Sequence, residues 1–225
     1  MIKFCVGIQA RALSKRLPNK NFFNLQGISL CEWSINQAKV YFPSSDIFLL
    51  IPNDNYSVIF EEICDKNNIF CIKGNESDVL SRYEKLAVIS KYDFIVRWTG
   101  DNPIKCKFAM DKLIRNSSQD IDYICYKGLR KTAVEIVSRL ILKKIRLSNS
   151  YTNKCNEHVT WGIRNSKFFK NIILDPEEDW IKRKNDQLLT VDTINDFSRV
   201  NNFMKNNNIK PMMKNILFNE QFQKI

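Results

Sequence analysis

The 225-residue sequence predicts an α/β fold: a mostly parallel, twisted sheet with helices on both faces, plus a small protruding lobe. Two observations predict it. Short apolar runs rich in β-formers alternate with amphipathic stretches of helix length through the first half of the chain. Several of these runs, IFLLI among them, are apolar on both faces, as strands covered on both sides must be.

The elements follow in order. IKFCVGIQA is a first strand. CEWSINQAKVYF is a helix with Cys31, Ile35, Ala38 and Phe42 on one face. DIFLLIP is a second strand, closed by Pro52. NYSVIFEEICDKNN is a helix whose stripe is Tyr56, Ile59, Phe60 and Ile63. IFCIKG is a third strand, and ESDVLSRYEKLAVIS a helix with Val79, Tyr83, Leu86 and Ser90 in line. DFIVRWTG is a fourth strand. Beyond about residue 104 the alternation weakens. DYICY reads as a strand, TAVEIVSRLILKKIRL as one long helix, and NEHVTWGIRNS as the start of another. QLLTVDT returns to strand character, with Leu188 to Val191 rejoining the sheet. INDFSRVNNFMKNN closes the chain with Phe197, Val200 and Met204 in register. The expected organisation is a single domain over 1–225, with a core at about 1–104 and 171–225 and a lobe at about 105–170.

Composition narrows the partners. The net charge of +11 asks for an anion: nucleic acid, an acidic membrane or a phosphorylated small molecule. The basic residues are scattered, with short clusters only at Lys143-Lys144 and Lys182-Arg183-Lys184. A nucleic-acid binder more often shows a dense basic stripe with interleaved aromatics. Seven cysteines form no C-x-x-C pair, and one histidine gives no zinc spacing. This usage points to a reducing, cytoplasmic location. No stretch reaches the ~20 apolar residues that a membrane span needs.

In such sheets ligands bind at the carboxyl ends of the strands. The loop after Gln9 is crowded with positive charge, Arg16 included, and Arg11, Ser14, Lys15 and Lys20, with Asn21 and backbone amides nearby, are donors suited to a polyphosphate. On charge alone, a solvated basic loop explains it as well. VRWTGDNP sets Asp101 just past the fourth strand, where a carboxylate can hold Mg²⁺ against phosphate oxygens; Gly-Asp-Asn-Pro is also simply a good turn. In LTVDTINDF, Asp192 ends a strand. Asp196 opens a helix, where the dipole favours a carboxylate.

These segments together resemble bacterial CMP-sugar-acid synthetases: the acylneuraminate and 3-deoxy-manno-octulosonate cytidylyltransferases and above all their spore-coat-polysaccharide (SpsF-like) branch. Ala10, Arg11, Ser14, Lys15, Leu17, Pro18, Lys20, Asn21, Gly27 and Leu30 match the opening pattern. SDVLSRY, VRWTGDNP, EHVT and LLTVDTINDF follow in the same order. Ala12 and Leu13 depart from it, since members often carry glycine there. The resemblance implies a Rossmann-like, nucleotide-diphospho-sugar-transferase fold, transfer of CMP from CTP to an acidic sugar, Mg²⁺ as cofactor, and a homodimer. It implies that Arg11, Ser14, Lys15 and Lys20 hold the triphosphate beside Ala10, with Asn21 near ribose or base. Ser81 and Arg82 lie by the base, with Asp78 fixing their loop. Asp101 and Asp192 take the metal, supported by Asp196, and Arg11, Lys15, Lys20 and Asp101 carry the catalysis. Glu135, Glu157 and His158 meet the acceptor, while Lys131 or Arg164 is available for its carboxylate. The rival readings are a glycosyltransferase of related fold using a preformed nucleotide sugar, which commonly has an Asp-x-Asp motif that Asp101-Asn102-Pro103 lacks, and a basic nucleic-acid-binding module.

Overall fold

The computed structural model describes residues 2–128, 134–176 and 189–211. Nine strands are described: β1 (Phe4–Gln9), β2 (Asn24–Leu25), β3 (Ile28–Ser29), β4 (Ile47–Pro52), β5 (Phe70–Gly74), β6 (Phe94–Thr99), β7 (Tyr123–Tyr126), β8 (Glu135–Ser138) and β9 (Asn171–Leu174). Seven form one sheet in the order β5-β4-β1-β6-β8-β7-β9, and β2 and β3 form a small hairpin. The ladders β4–β5, β1–β4, β1–β6 and β7–β9 are parallel, and β8 runs antiparallel between β6 and β7.

Alternation along each strand feeds two cores. Val6, Ile8, Leu49, Ile51, Val96 and Trp98 enter one, and Cys5, Phe48, Leu50 and Ile95 enter the other. The first core is completed by α1 (Leu30–Lys39), α2 (Ser57–Asn67), α4 (Lys107–Arg115) and α8 (Ile194–Asn206). The second is completed by α3 (Val79–Ile89) together with the short helices α5 (Arg139–Lys144), α6 (Lys154–His158) and α7 (Trp161–Arg164). Each large apolar side chain buried this way contributes roughly 1.5–3 kcal/mol.

Local signals start the helices. A capping box between Ser29 and Glu32 opens α1, Asp78 caps α3 by accepting from the Ser81 amide at 3.0 Å, and Thr193 with Asp196 forms the box of α8. The expected faces of α1 and α8 are the buried ones: Cys31, Ile35, Ala38 and Phe42, then Val200 and Met204 with Phe197 packed alongside. In α2 the stripe is rotated, because Ile59 lies exposed while Phe60 and Cys64 are buried.

Two sequence expectations give way. Of the stretch 132–147, read as one long helix, Thr132 and Ala133 lie outside the described residues and the rest holds a strand and then a short helix. Glu135–Ser138 pairs with β6 on one side and β7 on the other, so its apolar residues serve both faces of a sheet. The strand expected at Leu188 to Val191 is not a sheet strand. Leu188 lies outside the described residues, and Leu189–Val191 run irregularly. β6 is paired on both sides, by β1 and β8, and the Val191 amide donates to the Asp101 carbonyl beyond its end at 2.9 Å. The segment 105–170 supplies β7 and β8 to the central sheet, and its helices α5 and α6 pack on α3.

Candidate active site

β1 hands its pairing with β4 on to Ala10, whose amide donates to the Leu50 carbonyl at 3.1 Å. The chain then closes on itself: the Ala12 carbonyl accepts from the amides of Ser14 (2.9 Å) and Asn19 (2.8 Å), with Asn19 in the left-handed region at φ 59°. This turns Ser14 and Lys20 inward and leaves Lys15 and Arg16 exposed. Ala12 buries its methyl completely in the core. Asn21 fixes the loop from below, donating from Nδ2 to the Arg11 carbonyl at 2.7 Å.

The turn after β6 meets this loop edge to edge. A Cβ on Gly100 would come within 3.0 Å of the Gln9 carbonyl and 3.2 Å of Asn21 Oδ1, so any side chain there would push the two loops apart by a few tenths of an ångström. Asn102 then ties in a distant segment. Its Nδ2 donates to Thr99 Oγ1 at 3.1 Å, and its Oδ1 accepts from Thr190 Oγ1 at 2.8 Å. That clamp delivers Asp192 to Asp101. The ammonium of Lys20 lies between them, 3.1 Å from Asp101 Oδ2, 3.1 Å from Asp192 Oδ1 and 2.7 Å from the Val191 carbonyl. Arg16 Nη2 adds a contact to Asp192 Oδ1 at 2.9 Å. Burial would raise the pKa of Asp101. The Lys20 charge and hydrogen bond, with Lys105 behind it, outweigh burial and hold the carboxyl below its usual range. Lys105 is itself buried, with its ammonium 5.4 Å from the centre of the Trp98 ring.

These groups line a cleft of about 490 Å³ at the carboxyl ends of β1 and β6, a size that suits a small-molecule ligand. It brings together Ala10, Arg11, Ser14, Lys15, Lys20, Asn21, Arg82, Asp101, Asp192, Glu157 and His158. Glu157 and His158 reach it from α6, both exposed, with Arg11 Nη2 3.9 Å from Glu157. Their neighbour Val159 sits at φ 32° and ψ −63°, a strained place for a β-branched residue that costs about 1–3 kcal/mol. Arg82 is buried. It donates from Nη1 to the Leu50 carbonyl (3.0 Å) and the Ala10 carbonyl (3.3 Å), and burial pushes its pKa down to about 10. It therefore staples the first loop to β4.

Two of the expected residues are not part of the lining. Ser81 spends its hydroxyl on the Asp78 carbonyl at 2.7 Å, and Asp78 in turn holds Arg146 Nη2 at 2.6 Å. Glu135 is buried behind the cleft. Its carboxylate accepts from Arg97 Nη1 and Tyr123 OH, and from Thr160 Oγ1 at 2.9 Å, with Arg164 Nη1 at 3.5 Å. Burial works against its charge, but Arg97 and the other donors prevail and keep its pKa low. Lys131 lies outside the described residues. Asp196 faces its own helix end, accepting from the amides of Asp192 (3.2 Å) and Thr193 (2.9 Å).

The donor set fits a hard divalent cation. Among the described residues no three metal-ligating side chains cluster, but Mg²⁺ is commonly held by one or two carboxylates plus substrate phosphates. Asp101 and Asp192 are both within hydrogen-bond reach of one ammonium, and Asp101 is held ionised. Sequence reasoning had not assigned Gln9, Arg16, Arg97 and Thr99, which also line the cleft. A signal for Arg97 was present: an arginine inside FIVRWT, a strand otherwise buried on both faces, requires a buried partner.

The model of a family described as cytidylyltransferase matches residues 6–221. The Methanocaldococcus jannaschii protein MJ1063 is 32% identical over 196 residues, covering 84% of this chain and 78% of its own. The spore coat polysaccharide biosynthesis protein SpsF of Bacillus subtilis is 29% identical over 201 residues, covering 86% and 82%. The structure of a cytidylyltransferase from Leptospira borgpetersenii superposes with a TM-score of 0.84 at 23% identity, over 100% of this chain and 95% of that one, which shows a shared fold.

Proposed function

The chain belongs to the cytidylyltransferase family, and from that premise we propose that it transfers CMP from CTP to an acidic sugar, releasing pyrophosphate, for surface polysaccharide or glycan assembly. One observation carries the reading: the cationic first loop and the carboxylates of Asp101 and Asp192 meet in a single cleft at the carboxyl end of the sheet.

The acceptor hydroxyl attacks the α-phosphorus, and the bond to the bridging oxygen of the departing pyrophosphate breaks. Little covalent work falls to the protein, because positioning and charge neutralisation lower the barrier. Arg11, Lys15 and Arg16 present cations to the triphosphate and take up charge as pyrophosphate leaves. Lys20 holds the two carboxylates side by side and favours the ionised form of Asp101. Asp101 and Asp192 would hold Mg²⁺, which when bound neutralises phosphate oxygens and polarises the α-phosphate. Gln9 Oε1 and Asn21 Oδ1, buried acceptors of the lining without a partner, are available to ribose hydroxyls or the amino group of a base. Glu157 and His158 border the acceptor side.

The reading treats the chain as one domain in which segment 105–170 carries the acceptor side and a homodimer contact. Exposed Leu140, Leu147 and Phe168 in that segment supply apolar surface for such pairing. No described helix is long and apolar enough to cross a membrane. The seven free cysteines, six within the cores and Cys71 packed against one of them, suit a reducing cytoplasm. The test is a pyrophosphate-release screen crossing four nucleoside triphosphates with acidic and neutral sugars, with and without Mg²⁺. Release confined to CTP with an acidic sugar and Mg²⁺ is expected. Release with no nucleotide and sugar pair would end the reading.

A further inference from the structure

Behind the acceptor side of the cleft two guanidinium groups share one carboxylate. Arg97 and Arg164 both face Glu135, with side chains only 12% and 15% exposed against 1% for the glutamate. The other two partners of Glu135, Tyr123 and Thr160, are neutral hydroxyls. Among the described residues no second carboxylate in this cluster balances the second positive charge. Burying an uncompensated charge is costly, so such a cluster persists where an anion completes it.

The cluster opens into the cleft through Arg97, which lines it while Glu135 does not. Its Nε is buried and has no partner. Arg97 and Thr99 share one face of β6, and Asp101 lies in the turn just past the strand, at most roughly 13 Å of extended backbone from Arg97. The arginine and the carboxylate pair thus line one cleft, where a single acceptor can meet both. Burial disfavours the charge on Arg97, but Glu135 more than restores it, so the guanidinium stays protonated.

Given the nucleotidyl-transfer reading above, on which this rests, we infer that Arg97 binds the carboxylate of the sugar acceptor and that Glu135 holds the guanidinium in position for it. Specificity for acidic acceptors then resides in a residue of the sheet rather than in the exposed helix that bears Glu157 and His158. Arg164 remains behind Arg97, drawn toward Glu135 and stacked on Trp161 with 5.0 Å between its guanidinium carbon and the ring centre.

The experiment measures steady-state pyrophosphate release by the full-length enzyme with CTP and two probe acids, N-acetylneuraminate and 3-deoxy-manno-octulosonate, beside the methyl ester of each. Wild-type enzyme is compared with R97K and with the double variant R97M/E135Q, which removes the Arg97–Glu135 ion pair as a unit and leaves Arg164 stacked on Trp161. Melting curves and CTP titration report folding and the nucleotide site. Wild type should use a free acid and not its ester. The double variant should fold, keep its CTP affinity within about twofold, and show a KM for the acid raised roughly 10- to 100-fold with a smaller change in kcat. R97K should fall between the two. Equal use of acid and ester by wild type, or an unchanged acceptor KM in a folded double variant, would overturn the inference while leaving nucleotidyl transfer standing. Failure of wild type to release pyrophosphate with any acid or ester would remove the underlying reading and the inference together.

Discussion

Replacing Lys20 with methionine removes the ammonium that joins the two halves of the site. In the native chain this group makes three contacts, at 2.7 Å to the Val191 carbonyl and 3.1 Å to each of Asp101 and Asp192, and its side chain is 7% exposed. Stripping one partner from a buried ion pair typically costs about 3–5 kcal/mol, because the remaining charge is left uncompensated. Here the loss is smaller. Asp101 and Asp192 keep 28% and 16% of their side-chain surface in water, and Arg16 stays 2.9 Å from Asp192. About 2–3 kcal/mol is the expected cost, which for a chain of this length lowers Tm by roughly 4–12 °C. The same substitution leaves two carboxylates with less positive charge between them. Millimolar Mg²⁺ should therefore raise the Tm of the variant more than that of wild type. Thermal melts followed by circular dichroism, with and without Mg²⁺, read both effects. A variant that melts within about 1 °C of wild type and is indifferent to Mg²⁺ would refute the claim that Lys20 joins these carboxylates.

Other expectations follow from the same contacts. Asp101→Asn should keep the fold, since the Asp101 carbonyl still pairs with the Val191 amide, yet lose most turnover in the pyrophosphate assay; near-normal release would count against the role given to its carboxylate. Glu135 is held below its ordinary pKa, so the stability it contributes is fully present above its unfolded value of about 4.3 and is lost as pH falls through its lower folded value. The gap in Tm between wild type and Glu135→Gln should accordingly be widest near neutrality and narrow below about pH 4; a constant gap would show that the carboxylate is not ionised. Arg146 donates from Nε to both oxygens of Glu84, and from its other nitrogens to Asp78, Tyr151 and Asn156, tying α3 to α6. With a side chain 32% exposed, Arg146→Met should cost only about 1–2 kcal/mol, but should raise the acceptor KM more than that for CTP; equal changes in both would argue against this link.

The parts of the fold legible in the sequence were those where one physical rule dominates. Buried parallel strands show as apolar runs, and the capped amphipathic helices between them show their period. The stretch 132–147 was misread because an apolar strand running straight into an apolar helix presents one continuous stripe. Its pairing with β6 on one side and β7 on the other, invisible in the local sequence, settles it as a strand. The loops at the strand ends were legible as chemistry, because charge and turn residues crowd together there. How they fit together was not. Nothing local shows that Asn102 reaches Thr190, or that Lys20 turns inward to the aspartates while Lys15 stays outside. Glu135 looked like an acceptor contact from its motif, and its burial behind Arg97 is a consequence of sheet order alone.

Calorimetric titration of CTP, with Mg²⁺ and with a chelator, into wild type and the Asp192→Asn variant bears most directly on the central claim that a nucleotide and its divalent ion meet over Asp101 and Asp192. Wild type should bind CTP more tightly with Mg²⁺ present, and Asp192→Asn should lose most of that gain while still binding the free triphosphate through the first loop. An undiminished Mg²⁺ effect in Asp192→Asn would contradict it.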